Sequence, residues 1–154
     1  MIASLSLGPA LSRVAEATEP ALIGPDDGPV GRPQIVLDRL VVPATMPEQK
    51  RVTKVLEKAL KREAHRFEWG AGRGSRIEYR FTLEQLDLSV ERGVIKVRCT
   101  ALGRLPKGKT ARSRLEFGGD ANKAHQVIDH VLLIVARGVL SRLADLERNR
   151  RSRH

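Results

Sequence analysis

Residues 77–117 read IEYRFTLEQLDLSVERGVIKVRCTALGRLPKGKTARSRLEF, and their period decides the fold. Ile77, Tyr79, Phe81 and Leu83 alternate with Glu78, Arg80, Thr82 and Glu84, the two-residue repeat of a strand with one face buried. The apolar parity then moves to Leu86, Leu88 and Val90, which predicts a bulge near Glu84-Gln85. Glu91-Arg92-Gly93 is a tight-turn signal. Beyond it Ile95, Val97, Cys99 and Ala101 alternate with Lys96, Arg98 and Thr100. Pro106-Lys107-Gly108 turns the chain once more, and Ala111, Ser113, Leu115 and Phe117 continue the alternation against Arg112, Arg114 and Glu116. Three strands joined by short turns make an antiparallel meander.

On the amino-terminal side, Gln34–Val42 (QIVLDRLVV) is β-branched and apolar enough for a strand that Pro43 stops. Thr45-Met46-Pro47-Glu48 has the spacing of a capping box with proline in the first turn, and Val52, Val55, Leu56, Ala59, Leu60 and Phe67 then mark one stripe of a helix. Gly70 is the expected stop. On the carboxyl-terminal side, Gly118-Gly119 is expected to break the fourth strand and Asp120 to cap a second helix. Its buried face is Ala124, Val127, Ile128, Val131, Leu132, Val135, Val139, Leu143 and Leu146, widened by Leu133, Ile134 and Ala136, so that its apolar middle is a candidate self-association surface. The predicted fold is α+β, a two-layer sandwich ordered β-α-β-β-β-α, with a four-stranded mixed sheet and two helices on one face.

The expected organisation is a leader (1–19), a Pro/Gly linker (20–33), a single domain (34–147) and a basic tail (148–154). Ile2–Leu11 has the length of a signal-peptide apolar core and Ala15-Glu16-Ala17 the form of a cleavage site, but no basic segment precedes them. The alternative is an ordinary amino terminus. The string PALIGPDDGPVGRP suits neither helix nor central strand. The longest apolar run, Val131–Ala136, is far short of the roughly 20 residues of a membrane-spanning helix. Cys99 is the single cysteine, which excludes an intramolecular disulfide.

The net charge is +10, and its placement is uneven. Residues 1–46 hold three arginines against five acids, net −2, which leaves +12 for residues 47–154. Two cationic features stand out. Lys50, Lys54, Lys58, Arg62 and Arg66 form an unbroken i, i+4 row on the first helix, and the span Val94–Leu115 has no acid. By parity Lys96, Arg98, Arg112 and Arg114 point away from the helices onto the open sheet face. These nine residues are the candidate contacts for an anionic partner: an envelope component, an acidic protein or nucleic acid. Tyr79, Phe81 and Phe117 have inward parity and only Trp69 is left over, so a base-stacking platform is not expected. A nucleic-acid role would then rest on phosphate contacts and select weakly for sequence.

Enzyme-like strings read better as structure. Gly103-Arg104-Leu105-Pro106-Lys107-Gly108-Lys109-Thr110 fits the phosphate-binding loop pattern, yet the following residues have strand rather than helix period, and a hairpin turn is expected. Gly70-Ala71-Gly72-Arg73-Gly74 follows a helix, the reverse of the dinucleotide-binding order. His125, Asp129 and His130 read as a polar helix face, and Cys99 as a core residue. No catalytic group, metal or cofactor is assigned.

The strand IVLDRLVVP, the helix QKRVTKVLEKALKREA, the meander and the closing helix HQVIDHVLLIVARGVLSRLADL resemble, in element order, small βαβββα domains of bacterial envelope proteins: the TolB amino-terminal domain and lipopolysaccharide-assembly lipoproteins. The lipobox cysteine of the lipoproteins has no counterpart, because Cys99 lies mid-strand. The resemblance implies a non-enzymatic adaptor or binding module in the periplasm or envelope. A weakly selective nucleic-acid binder in the cytoplasm is the alternative, and nucleotide binding at residues 103–110 a third.

Overall fold

The computed structural model describes residues 32–153. Their order is β1 (Gln34–Val41), α1 (Gln49–Glu63), β2 (Arg76–Glu91), β3 (Val94–Arg104), β4 (Thr110–Asp120) and α2 (Ala124–Arg151), with single 3-10 turns at Ala64–Arg66 and Ala121–Lys123. The strands lie side by side in chain order, β1 parallel to β2 and the other pairs antiparallel. This is the expected mixed sheet with two helices on one face. The leader and most of the linker, residues 1–31, lie outside the described residues.

Period and burial agree through the meander. Ile77, Tyr79, Phe81, Leu83 and Leu86 from β2 are buried, as are Ile95, Val97, Cys99 and Ala101 from β3. The β2–β3 register shifts between Leu83 and Gln85, the bulge that the change of parity requires. Arg92 and Gly93 both have positive φ (55° and 78°), the geometry of a two-residue hairpin loop whose twist matches its strands. Burial pushes the Cys99 thiol up to about 12, which leaves it a small core residue without thiolate character at neutral pH. Residues 103–110 form the β3–β4 hairpin, where Leu105 N–H donates to the Lys109 carbonyl (2.8 Å), Gly108 has φ 85° and Thr110 starts a strand.

Three local expectations are corrected. The capping box does not form: helix α1 starts at Gln49 with Glu48 as its N-cap in the left-handed region (φ 51°), and no side chain caps it. Glu48 is turned instead toward α2, its carboxylate 2.9 Å from His125 Nε2. Gly118-Gly119 do not break β4, which runs on to Asp120. Asp120 caps only the 3-10 turn, accepting from Asn122 N–H at 2.9 Å. Finally, α2 continues through Arg151, so the basic residues after 147 include its last turn. Arg148 donates to the Glu68 carbonyl (2.6 Å), and its Cα and Cγ lie about where a Cβ on Gly70 would fall (3.0 and 2.9 Å).

Glycine in β4 serves close packing. A Cβ at Gly119 would fall 2.5 Å from Val127 of α2, and one at Gly103 of β3 would fall 2.4 Å from Val139 and 2.8 Å from Leu143. From the helix side, a Cβ at Gly138 would meet the Ser113 hydroxyl at 2.6 Å. The second helix therefore descends onto β3 and β4 where side chains are absent. Trp69, in the loop after α1, closes the end of the core beside Tyr79: it is buried, donates to the Ala64 carbonyl (3.0 Å) and stacks on Tyr79. We predict that Gly103→Ala lowers stability in chemical denaturation by about 1–3 kcal/mol through overpacking, and that adding Val139→Ala recovers part of the loss because it removes the nearest clash.

Candidate functional site

Helix α1 is built from one apolar stripe, Val52, Leu56, Ala59 and Leu60, and its opposite face is charged. Lys50, Lys54, Lys58, Arg62 and Arg66 are all exposed, and those within the helix repeat about every 6 Å along its axis. The structure divides the row. Arg62 and Arg66 lean onto the Glu63 carboxylate at 3.1 and 3.5 Å, whereas Lys50, Lys54 and Lys58 have no ion-pair or hydrogen-bonding partner among the described residues. Lys61, on the neighbouring strip, pairs with Glu57 at 3.6 Å.

Glu63 is the feature the sequence reading missed. It is fully buried, and Arg137 of α2 donates to it at 2.7 Å. Burial alone would raise its pKa. Hydrogen bonds from Arg137 and Arg62, with the charges of Arg137 and Arg66, outweigh burial and hold the carboxyl below its usual range. At the other end of the helix pair, Arg51 reaches Asp129 (2.6 Å) beside the Glu48–His125 contact. Rising numbers on α1 thus meet rising numbers on α2, so the two helices run parallel. His125, Asp129 and His130 each face something different, since His130 packs on the Phe117 ring at 5.5 Å.

The open sheet face brings Lys96, Arg98, Arg112 and Arg114 together, all exposed, but not as a bare cationic field. Arg98 lies opposite Glu116 in the β3–β4 register and pairs with it at 3.1 Å. Arg112 forks across β3 onto Glu84 at 3.1 and 3.3 Å. Arg80 pairs with Asp38, and Arg76 with Glu78. Lys96 and Arg114 remain without partners among the described residues. The acid-free run Val94–Leu115 is acid-free only in sequence, because neighbouring strands supply the carboxylates. Strand parity places a residue on a face but does not name its cross-strand neighbour.

A further cleft lies where the β3–β4 turn meets the end of α2. Ile77, Leu105, Pro106 and Leu146 form its apolar wall, with Arg76, Lys107, Lys109 and Arg150 around it. Nearly buried Glu147 takes hydrogen bonds from Arg150 and Arg151 at 2.6 Å each, and these lower its pKa despite burial. No three His, Cys, Asp or Glu side chains among the described residues are grouped so as to hold a metal ion. No described helix is long and apolar enough to cross a membrane.

No family model matches the sequence, and no curated protein matches it. Solved structures do. The chain is similar to the rare lipoprotein B of Shewanella oneidensis (10% identity, 77% of this chain and 99% of that one, TM-score 0.43). It is also similar to a minor lipoprotein of Acinetobacter baumannii (12% identity, 77% and 92%, TM-score 0.35). A third is the PelC dodecamer of Paraburkholderia phytofirmans (13% identity, 72% and 86%, TM-score 0.42). The solved structures that resemble this chain thus include bacterial lipoproteins, and the likeness is one of fold.

The Glu63 cluster yields a pH prediction. A carboxyl whose folded pKa lies below its unfolded value of 4.5 contributes stability that is complete above that value and is lost as pH falls through the folded pKa. Wild-type stability should therefore fall on acidification below the ordinary carboxylate range. Glu63→Gln should cost about 1–3 kcal/mol at neutral pH, because it removes the charge that answers Arg62, Arg66 and Arg137 and turns one of the two acceptor oxygens into a donor, and should flatten the acid limb of the Tm-against-pH curve.

Proposed function

We propose that this domain is a non-enzymatic binding module that meets an anionic partner through α1, and that it works in the bacterial envelope. The observation that carries this reading is the set of free ammonium groups at Lys50, Lys54 and Lys58. Like charges at i, i+4 repel one another, and no carboxylate among the described residues pairs with them. The rest of α1 has its charges answered: Arg51 by Asp129, Lys61 by Glu57, and Arg62 and Arg66 by Glu63. An anion arriving along the row offsets the repulsion without displacing an existing pair.

The sheet face supports binding less. Arg98 and Arg112 would have to give up Glu116 and Glu84, and only Lys96 and Arg114 are ready to accept an anion. The surroundings favour a phosphate-rich surface over a stacked nucleic acid, because Trp69, Tyr79 and Phe81 are buried. An envelope location is supported by the apolar stretch Ile2–Leu11, the small-residue Ala15-Glu16-Ala17 site and the Pro/Gly linker that separates them from the domain.

Vesicles containing phosphatidylglycerol should bind the protein at low salt and release it as salt rises. Replacing Lys50, Lys54 and Lys58 together by Gln should weaken binding about 100-fold, at roughly 1 kcal/mol per lysine at an anionic surface. The Lys96→Gln/Arg114→Gln pair should weaken it less. Tighter binding to single-stranded oligonucleotide than to vesicles would favour the nucleic-acid reading. No binding to either at low salt would overturn the proposal.

A further inference from the structure

Among the described residues the sheet has three stretches of free edge, and two of them are interrupted or charged. On β1 the register slips between Leu37 and Arg39, a bulge that spoils the outer edge as a template, and Asp38 there is engaged by Arg80. On β4 the Arg112 carbonyl is taken by Arg142 of α2, and the arginines at 112 and 114 put charge along the strand. The third stretch is the distal half of β2. Strand β1 pairs with β2 only from Arg76 to Thr82, so among the described residues Gln85–Glu91 has β3 on one side and no strand on the other. No lysine, arginine, proline or second bulge interrupts QLDLSVE, and Val90 is 64% exposed although its parity points toward the helix layer.

We propose that this edge pairs with its equivalent in a second copy of the chain, antiparallel about a two-fold axis at Leu88, joining two four-stranded sheets into one. The sequence is self-complementary in that register. On the helix side Leu88 meets Leu88 and Leu86 meets Val90, which covers the exposed valine. On the open side Asp87 falls opposite Ser89 and Gln85 opposite Glu91, so no two like charges are directly across from each other. Carboxylate repulsion is reduced from within each copy as well, because Arg98 lies beside Asp87 and Lys96 beside Ser89 in the β2–β3 register. The dimer requires neither the lysine row nor its anionic partner, so it stands or falls separately from the proposed function.

Light scattering and sedimentation of the full chain over a concentration series test this. The expected mass rises from 17.1 kDa toward twice that value. Val90→Lys places a charge on the apolar side of the pairing and should weaken dimerisation at least about tenfold. Its circular dichroism and Tm should match wild type, since this side chain contributes little to the monomer core. Ser89→Asp sets two carboxylates across from each other and should weaken the dimer, and completing the charge swap with Asp87→Ser, which restores one acid per facing pair, should recover much of it. A wild-type chain that stays monomeric throughout overturns the proposal. So does a dimer indifferent to Val90→Lys and to the charge swap, which would use another surface such as the apolar middle of α2.

Discussion

The closeness of α2 to the sheet is the constraint on which the other contacts depend. Gly103 and Gly119 leave room beneath Val139, Leu143 and Val127, and Gly138 lets the helix backbone approach Ser113. A helix that sits this low buries Val131, Val135, Val139 and Leu143 completely and takes over the cover of β3 and β4. The first helix is left to cover β1 and the near half of β2. It lies beside α2 in parallel because the crossover from β1 to the parallel strand β2 and the meander after it fix both directions. Ion pairs then join the two helices toward both ends of α1: Arg51–Asp129 with Glu48–His125 at one, Glu63–Arg137 at the other.

Charge in this protein is sorted by residue type. Apart from Lys61–Glu57 and the His125–Glu48 contact, the ion pairs named above belong to arginine: Arg51, Arg62, Arg66, Arg76, Arg80, Arg98, Arg112, Arg137, Arg150 and Arg151. The planar guanidinium can donate two parallel hydrogen bonds to a carboxylate and is more weakly hydrated than an ammonium, so it wins the structural pairs. The lysines at 50, 54, 58 and 96 are left in solvent. The excess positive charge that a mobile partner would meet is therefore largely ammonium, while much of the guanidinium is committed to holding strands and helices in place. Net charge alone hides this division.

The fold was legible because its signals are local. Alternation at Ile77–Leu83 and Ile95–Ala101, the parity change at Glu84-Gln85 and the 3.6-residue stripe of α2 are properties of neighbouring residues, and each survived folding unchanged. The errors arose where a tertiary contact overrode local preference. Glu48 gave up the capping box for His125, and Gly118-Gly119 stayed in the strand because Val127 needs the space above Gly119. The candidate site was legible only as faces. That Lys50, Lys54 and Lys58 share a strip follows from i, i+4 spacing. That Glu63 draws Arg62, Arg66 and Arg137 into one buried cluster depends on a residue of α2 more than seventy positions away.

The distal half of β2 shows the same limit from the other side. Its outward parity was readable, and so was its lack of lysine or proline, yet neither means anything until the length of β1 is known. Because Val41 ends its pairing at Thr82 and the chain then climbs into the helix layer, the last residues of β2 outrun their neighbour. The bulge at Glu84 keeps Leu86 and Leu88 facing the core past that point, so the apolar alternation continues along an edge that no strand among the described residues covers. An exposed edge is a template for another strand unless it is short, charged or paired. Only the last of these suits Gln85–Glu91: it is as long as an ordinary strand, and its carboxylates point to the open face rather than blocking the helix side, where Leu88 and Val90 await cover.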